Sequence, residues 1–151
     1  MNNSQTIIPF AGTDMITFDM TYDQVRNVLK ESKIVFNVDL RPNKGCTPEV
    51  PWKIIRTNNS ISVFFANDKM FKINCGSSSE GILNNGIKVG MSIEDAMKID
   101  PTLEYDEFEE YYVSSNGYWL FVDSGSDTIS DITVFIKAVL DDEIFFSYKW
   151  C

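Results

Sequence analysis

The chain has 151 residues, is 44% hydrophobic and 13% aromatic, and carries a net charge of −9. That apolar content can bury a core and excludes a disordered chain, while the absence of histidine excludes Ser-His-Asp, Cys-His and histidine-metal chemistry. The charge is uneven: residues 1–80 hold nine basic against eight acidic side chains, residues 81–151 four against fourteen, a balance that repels nucleic acid and anionic lipid and attracts basic partners.

Met1-Asn2-Asn3-Ser4-Gln5 lacks the basic start and apolar stretch of a signal peptide, and no apolar run approaches the ~20 residues that cross a bilayer. A cytoplasmic protein is expected. Cys46, Cys75 and Cys151 are odd in number and show no C-x-x-C spacing, which predicts reduced thiols. A Cys46–Cys75 pair is the one alternative. Thr21 and Ser92 are N-cap residues, followed at the capping-box position by Gln24 and, with a shorter arm, Asp95. Asp23 and Glu94 place negative charge where the helix dipole favours it. The apolar faces are Tyr22, Val25, Val28 and Leu29, then Ile93, Ala96, Met97 and Ile99. Helices are predicted near 21–31 and 92–99, the second stopped by Asp100-Pro101.

Strands are predicted at Trp52–Arg56, Ile61–Phe65 and Lys69–Cys75, parted by Asn58-Asn59 and Asn67-Asp68. In the second half they fall at Tyr111–Val113, Tyr118–Val122, Ile129–Ile136 and Glu143–Trp150, with a hairpin at Asn116-Gly117. Gly76-Ser77-Ser78-Ser79-Glu80-Gly81 reads as a linker.

At an offset of 71 residues, Ile16 and Met20 recur as Ile87 and Met91. Phe18/Val89, Thr21/Ser92, Tyr22/Ile93, Asp23/Glu94, Val25/Ala96 and Val28/Ile99 match in kind. The fold class expected is α+β, with two tandem helix-plus-antiparallel-sheet repeats forming one continuous or two packed sheets. The repeats span 1–76 and 86–151, joined by a linker at 77–85. The alternative is a single α+β domain with a chance resemblance between its halves.

Gly90-Met91-Ser92-Ile93-Glu94-Asp95-Ala96, preceded by Gly86-Ile87-Lys88-Val89, resembles the opening of a module in the β-lactamase inhibitor protein-like superfamily. Met20-Thr21-Tyr22-Asp23-Gln24-Val25-Arg26 resembles the same element, with Asp19 where glycine is usual. The resemblance implies tandem helix-plus-sheet units that grip a partner protein. The halves do not each hold a cysteine pair, as the secreted inhibitor's disulfides require, and no lipid-attachment cysteine is expected. The member implied is therefore of the cytoplasmic immunity-protein type.

Glu104-Tyr105-Asp106-Glu107-Phe108-Glu109-Glu110 holds five carboxylates in seven residues. Three readings stand: oxygen ligands for a metal, an acidic loop that meets a basic partner, or a solvated connection between helix and sheet. It matches no calcium-loop motif. Trp52, Tyr111, Tyr112, Tyr118, Trp119, Tyr148 and Trp150 lie on predicted strands, where alternation sends some away from the helices as interface anchors. The bland reading is sheet core. Cys75-Gly76-Ser77 has only Lys72 nearby in sequence to lower a thiol pKa, and Gly81, Gly86 and Gly90 make no phosphate loop.

The function expected is a non-enzymatic inhibitor, an immunity protein of the contact-dependent-inhibition kind. It neutralises a basic toxin, such as a nuclease, by occlusion, with no cofactor, metal, nucleic acid or membrane. The partner-binding residues expected are Asp106, Glu107, Glu109, Glu110, Tyr112, Trp119, Asp141 and Asp142. The alternatives are a scaffold or assembly module, and a carboxylate-dependent enzyme built on 104–110.

Overall fold

The computed structural model describes residues 5–43 and 50–140. Cys46, Cys151, Asp141, Asp142 and the strand expected at Glu143–Trp150 lie outside the described residues. Chain order runs β1 (Gln5–Ile8), β2 (Gly12–Thr13), α1 (Tyr22–Glu31), β3 (Phe36–Arg41), β4 (Trp52–Thr57), β5 (Ile61–Ala66) and β6 (Lys69–Cys75). It continues with β7 (Gly81–Leu83), α2 (Ile93–Ile99), β8 (Glu104–Asp106), β9 (Tyr111–Ser114), β10 (Tyr118–Asp123) and β11 (Thr128–Phe135). The fold is α+β. No helix among the described residues is long and apolar enough to cross a membrane.

Among the described residues, eight strands form one antiparallel sheet in the order β3-β4-β5-β6-β11-β10-β9-β8. Each helix thus precedes four strands, and the fourth strands, β6 and β11, pair at the centre. Asn74 lies opposite Thr133 there, and the Thr133 hydroxyl donates to Asn74 Oδ1 at 2.6 Å. β5 and β10 each carry a register shift after their fourth residue, between Phe64 and Phe65 and between Phe121 and Val122. A second sheet of order β2-β1-β7 pairs β1 with β7 in parallel. The expected linker at 77–85 is therefore structured: a 3-10 turn at Ser77–Ser79 leads directly into β7.

Both helices begin where the caps predict. Gln24 N–H donates to Thr21 Oγ1 at 3.2 Å and Thr21 N–H to Gln24 Oε1 at 2.8 Å, a complete capping box. Asp95 N–H donates to Ser92 Oγ at 3.2 Å. α1 buries Val25 and Leu29, and α2 buries Ile93 and Ala96. The apolar face expected of α2 is narrower in the structure, because Met97 and Ile99 are exposed at 41% and 42%. Seven residues make less than two turns of useful packing surface.

The buried residues of both helices join one core cluster with two side-chain rows that cross the sheet. One row is Ile55, Val63, Ile73, Val134 and Tyr118; the other includes Ile61, Cys75, Ile132, Leu120 and Tyr112. Directly opposed residues share a face, so both helices pack on the same side. The other side carries Trp52, Phe64 and Phe71 in the first half and Tyr111, Trp119, Phe121 and Phe135 in the second.

Candidate protein-binding edge in the second half

The acidic segment expected as a connection is partly strand. Glu104–Asp106 pairs antiparallel with β9, Tyr105 opposite Tyr112 and Asp106 opposite Tyr111. Among the described residues it forms the outermost strand, so one row of its backbone groups faces away from β9. The chain turns through Glu107, Phe108, Glu109 and Glu110 to re-enter at Tyr111. Asp106 shapes this turn, since its Oδ1 accepts from the N–H of Phe108 at 2.9 Å and of Glu109 at 3.0 Å. Glu110 closes it in the left-handed region, at φ 63°, with its N–H on Asp106 O at 2.8 Å. Glu107, Glu109 and Glu110 are exposed, and Phe108 is 91% exposed at the tip. Among the described residues no three His, Cys, Asp or Glu side chains are placed as metal ligands would be.

The two aromatic residues expected as anchors lie on opposite faces. Tyr112 is on the helix side, packed against the core, with its ring 5.0 Å from that of Tyr105. Trp119 is half-buried on the other side. It stacks on Tyr111 at 4.6 Å and meets Phe135 at 4.5 Å, while Phe121 lies 5.3 Å from Tyr111. The Tyr111 phenol is pushed up to about 12, first by burial and then by the carboxylates of Glu109 and Asp106. It therefore stays a neutral hydrogen-bond donor in the physiological range. Asp106, Glu107, Glu109, Glu110, Tyr112 and Trp119 thus gather at one end of the sheet, flanking the β8–β9 turn on both faces.

Sequence reasoning missed Tyr105 and Asp127. Tyr105 is 51% exposed beside Tyr112. Asp127 lies at the turn before β11, in the left-handed region at φ 54°, where its carbonyl accepts from Ile93 N–H at 3.0 Å. Period-two alternation places Tyr105 and Tyr112 together only if 104–106 is read as strand, and acidic residues argue against that.

Elsewhere, two groups of polar side chains are committed to structure. Asp100 is 2% exposed and accepts hydrogen bonds from Thr102 N–H (3.0 Å), Thr102 Oγ1, Ser114 Oγ, Asn116 Nδ2 (3.1 Å) and the Tyr118 hydroxyl. At the sheet centre, Asn74 Nδ2 donates to Asp131 Oδ2 at 2.8 Å. Cys75 is fully buried beside them, and burial first and Asp131 second push its thiol up to about 12. That is the reverse of what activates a thiolate. Burial lowers the pKa of Lys72, whose Nζ sits 4.2 Å from the centre of the Phe64 ring.

Comparison with known proteins finds no matching family model, no similar curated sequence and no similar solved structure.

Proposed function

We propose that this protein is an acidic, non-enzymatic inhibitor of the immunity type. It binds a basic toxin through the β8–β9 end of the sheet and occludes it inside the cell that makes both. The observation that carries this reading is the juxtaposition at that end. Exposed carboxylates on an outermost strand and its turn lie beside the half-buried Tyr111–Trp119–Phe121 group on one face and the Tyr105–Tyr112 pair on the other. Carboxylates there steer a basic partner, and aromatic side chains supply the desolvated contacts that hold it.

The reading includes an internal duplication, in which the two halves are diverged copies sharing one continuous sheet. Support comes from hydrogen bonds that recur between matched residues. Ile16 O accepts from Thr13 N–H and the matching Ile87 O from Leu83 N–H, both at 2.7 Å, although the second turn is one residue longer. Met20 N–H bonds Thr17 O as Met91 N–H bonds Lys88 O. Thr21 bridges Lys69 as Ser92 bridges Thr128. The register shifts on β5 and β10 fall at the same point of each meander. The resemblance of the helix starts to the β-lactamase inhibitor protein-like superfamily, whose repeats grip partner proteins, points the same way; fold likeness alone does not fix function.

Affinity capture from extracts of the native host tests the reading. The unaltered chain is compared with Asp106→Asn/Glu107→Gln/Glu109→Gln/Glu110→Gln and with Trp119→Ala. A basic protein retained by the parent and lost by both variants is expected, and the parent should suppress its activity. An identical set of retained proteins across all three baits would overturn the proposal.

A further inference from the structure

Tyr105, Glu110, Tyr112, Val122, Ser124 and Asp127 line a notch of about 230 Å³ on the helix side of the β8–β9 end. Two phenol rings 5.0 Å apart and inclined at 54° form one wall. Two carboxylates, neither of them in an ion pair with a described residue, complete it. A cation seated in this notch would meet carboxylates and aromatic rings together, both of which attract it.

The first half shows what such a notch holds. Asp68 precedes β6 as Asp127 precedes β11, at φ 59° and 54°. The next residue of each, Lys69 or Thr128, bridges the residue that caps the preceding helix. Lys53 lies opposite Phe65, the first residue after the β5 register shift. Continuing the β9 register from the Tyr112–Leu120 pair places Glu110 opposite Val122, the first residue after the β10 shift. In the first half Lys53 Nζ lies 2.7 Å from Asp68 Oδ1 and 4.6 Å from the centre of the Tyr22 ring, so an internal ammonium fills the position. In the second half that lysine is Glu110, the aspartate is kept as Asp127, and the residues matching Val38 and Ile55 are Tyr105 and Tyr112.

We propose that the Tyr105–Glu110–Tyr112–Asp127 notch is a binding site for the ammonium of a lysine side chain presented by a partner protein, the external counterpart of the Lys53–Asp68 pair. This deepens the reading of the β8–β9 end as partner-binding and rests on it. Aromatic rings and carboxylates together favour a cation carried on an apolar stem.

The test uses Nα-acetyl-lysine methylamide as probe, titrated into the ¹⁵N-labelled full chain, with its Nε-acetylated, neutral form as control. Saturable shifts are expected at Glu110, Tyr112, Val122 and Asp127, with affinity on the order of millimolar, and no saturable shift with the neutral probe. Asp127→Asn, which suits the left-handed backbone, should weaken binding about fivefold. Glu110→Lys should abolish it and raise Tm, because the new ammonium occupies the notch as Lys53 does. Equal response to both probes, no saturable shift, or indifference to both substitutions would overturn the proposal. A captured toxin whose binding ignores both substitutions sinks the notch and leaves the inhibitor reading standing. A chain that binds the probe and retains no protein sinks the inhibitor reading alone.

Discussion

Asp100 is a buried carboxylate, and the residue 71 positions earlier is the buried Leu29. A carboxylate at 2% exposure is tolerable only when its lone pairs are filled. Burial acts to raise its pKa, but the donors on Ser114, Thr102, Tyr118 and Asn116 outweigh it and hold the carboxyl well below its usual range. The Tyr118 phenol is correspondingly pushed up to about 12, by burial first and the bond to Asp100 second. A carboxyl whose folded pKa lies below its unfolded value, about 3.9, contributes its stability in full above that value. It loses that contribution as pH falls from there toward the folded pKa. Asp100→Asn should therefore lower stability by about 2 kcal/mol at pH 7, and the gap to the parent should narrow as pH drops below about 4. Urea unfolding at pH 7 and pH 3 measures it; a gap that does not change with pH would show that the ionised form is not what the donors stabilise.

At the scale of elements, the caps make the clearest quantitative statement. Thr21→Ala and Ser92→Ala each remove one hydroxyl acceptor of a first-turn N–H, while the Thr21 backbone N–H to Gln24 survives the change. Each should cost about 1 kcal/mol, as read from denaturation midpoints. The caps, both helix starts and six central strands were legible in the sequence because each has a local signal: a hydroxyl three residues before a polar partner, or an aromatic and β-branched run between turn residues. The outer strands were harder to see. β3 alternates as Phe36-Asn37-Val38-Asp39-Leu40-Arg41, but Leu40 remains 61% exposed, so burial alone does not mark it. β8 has no local signal, because Glu104 and Asp106 are poor strand formers and only pairing with β9 holds them. The same gap hid half of the candidate site. The acidic residues and Trp119 stand out by composition, whereas the Tyr105–Tyr112 pair exists only through the β8–β9 register. The parallel pairing of β1 with β7, 76 residues apart at Gln5 and Gly81, is non-local and leaves no trace in either segment.

For the whole molecule, one core cluster draws residues from both helices and both sets of strands across the β6–β11 seam. Unfolding should therefore be a single cooperative transition, with tryptophan fluorescence and far-ultraviolet circular dichroism coincident in urea; separated transitions would mean that the halves fold independently. The net charge acts at the same scale. The second half holds fourteen acidic side chains against four basic ones, and the described share of that excess includes the β8–β9 turn and the notch beside it. If these charges steer a basic partner, neutralising the turn must change the rate of encounter more than the lifetime of the complex, whereas Trp119→Ala must shorten the lifetime, at a cost of about 2 kcal/mol for a buried anchor. The direct measurement is surface plasmon resonance of the captured partner against the parent and the Asp106→Asn/Glu107→Gln/Glu109→Gln/Glu110→Gln variant at low and high salt. The predicted result is an association rate that falls as salt rises, screening being effective beyond about 8 Å at physiological ionic strength, and that is slowed by the four neutralisations more than release is hastened. An association rate independent of salt and unchanged by the variant would contradict the account and leave the acidic half as a solubilising surface.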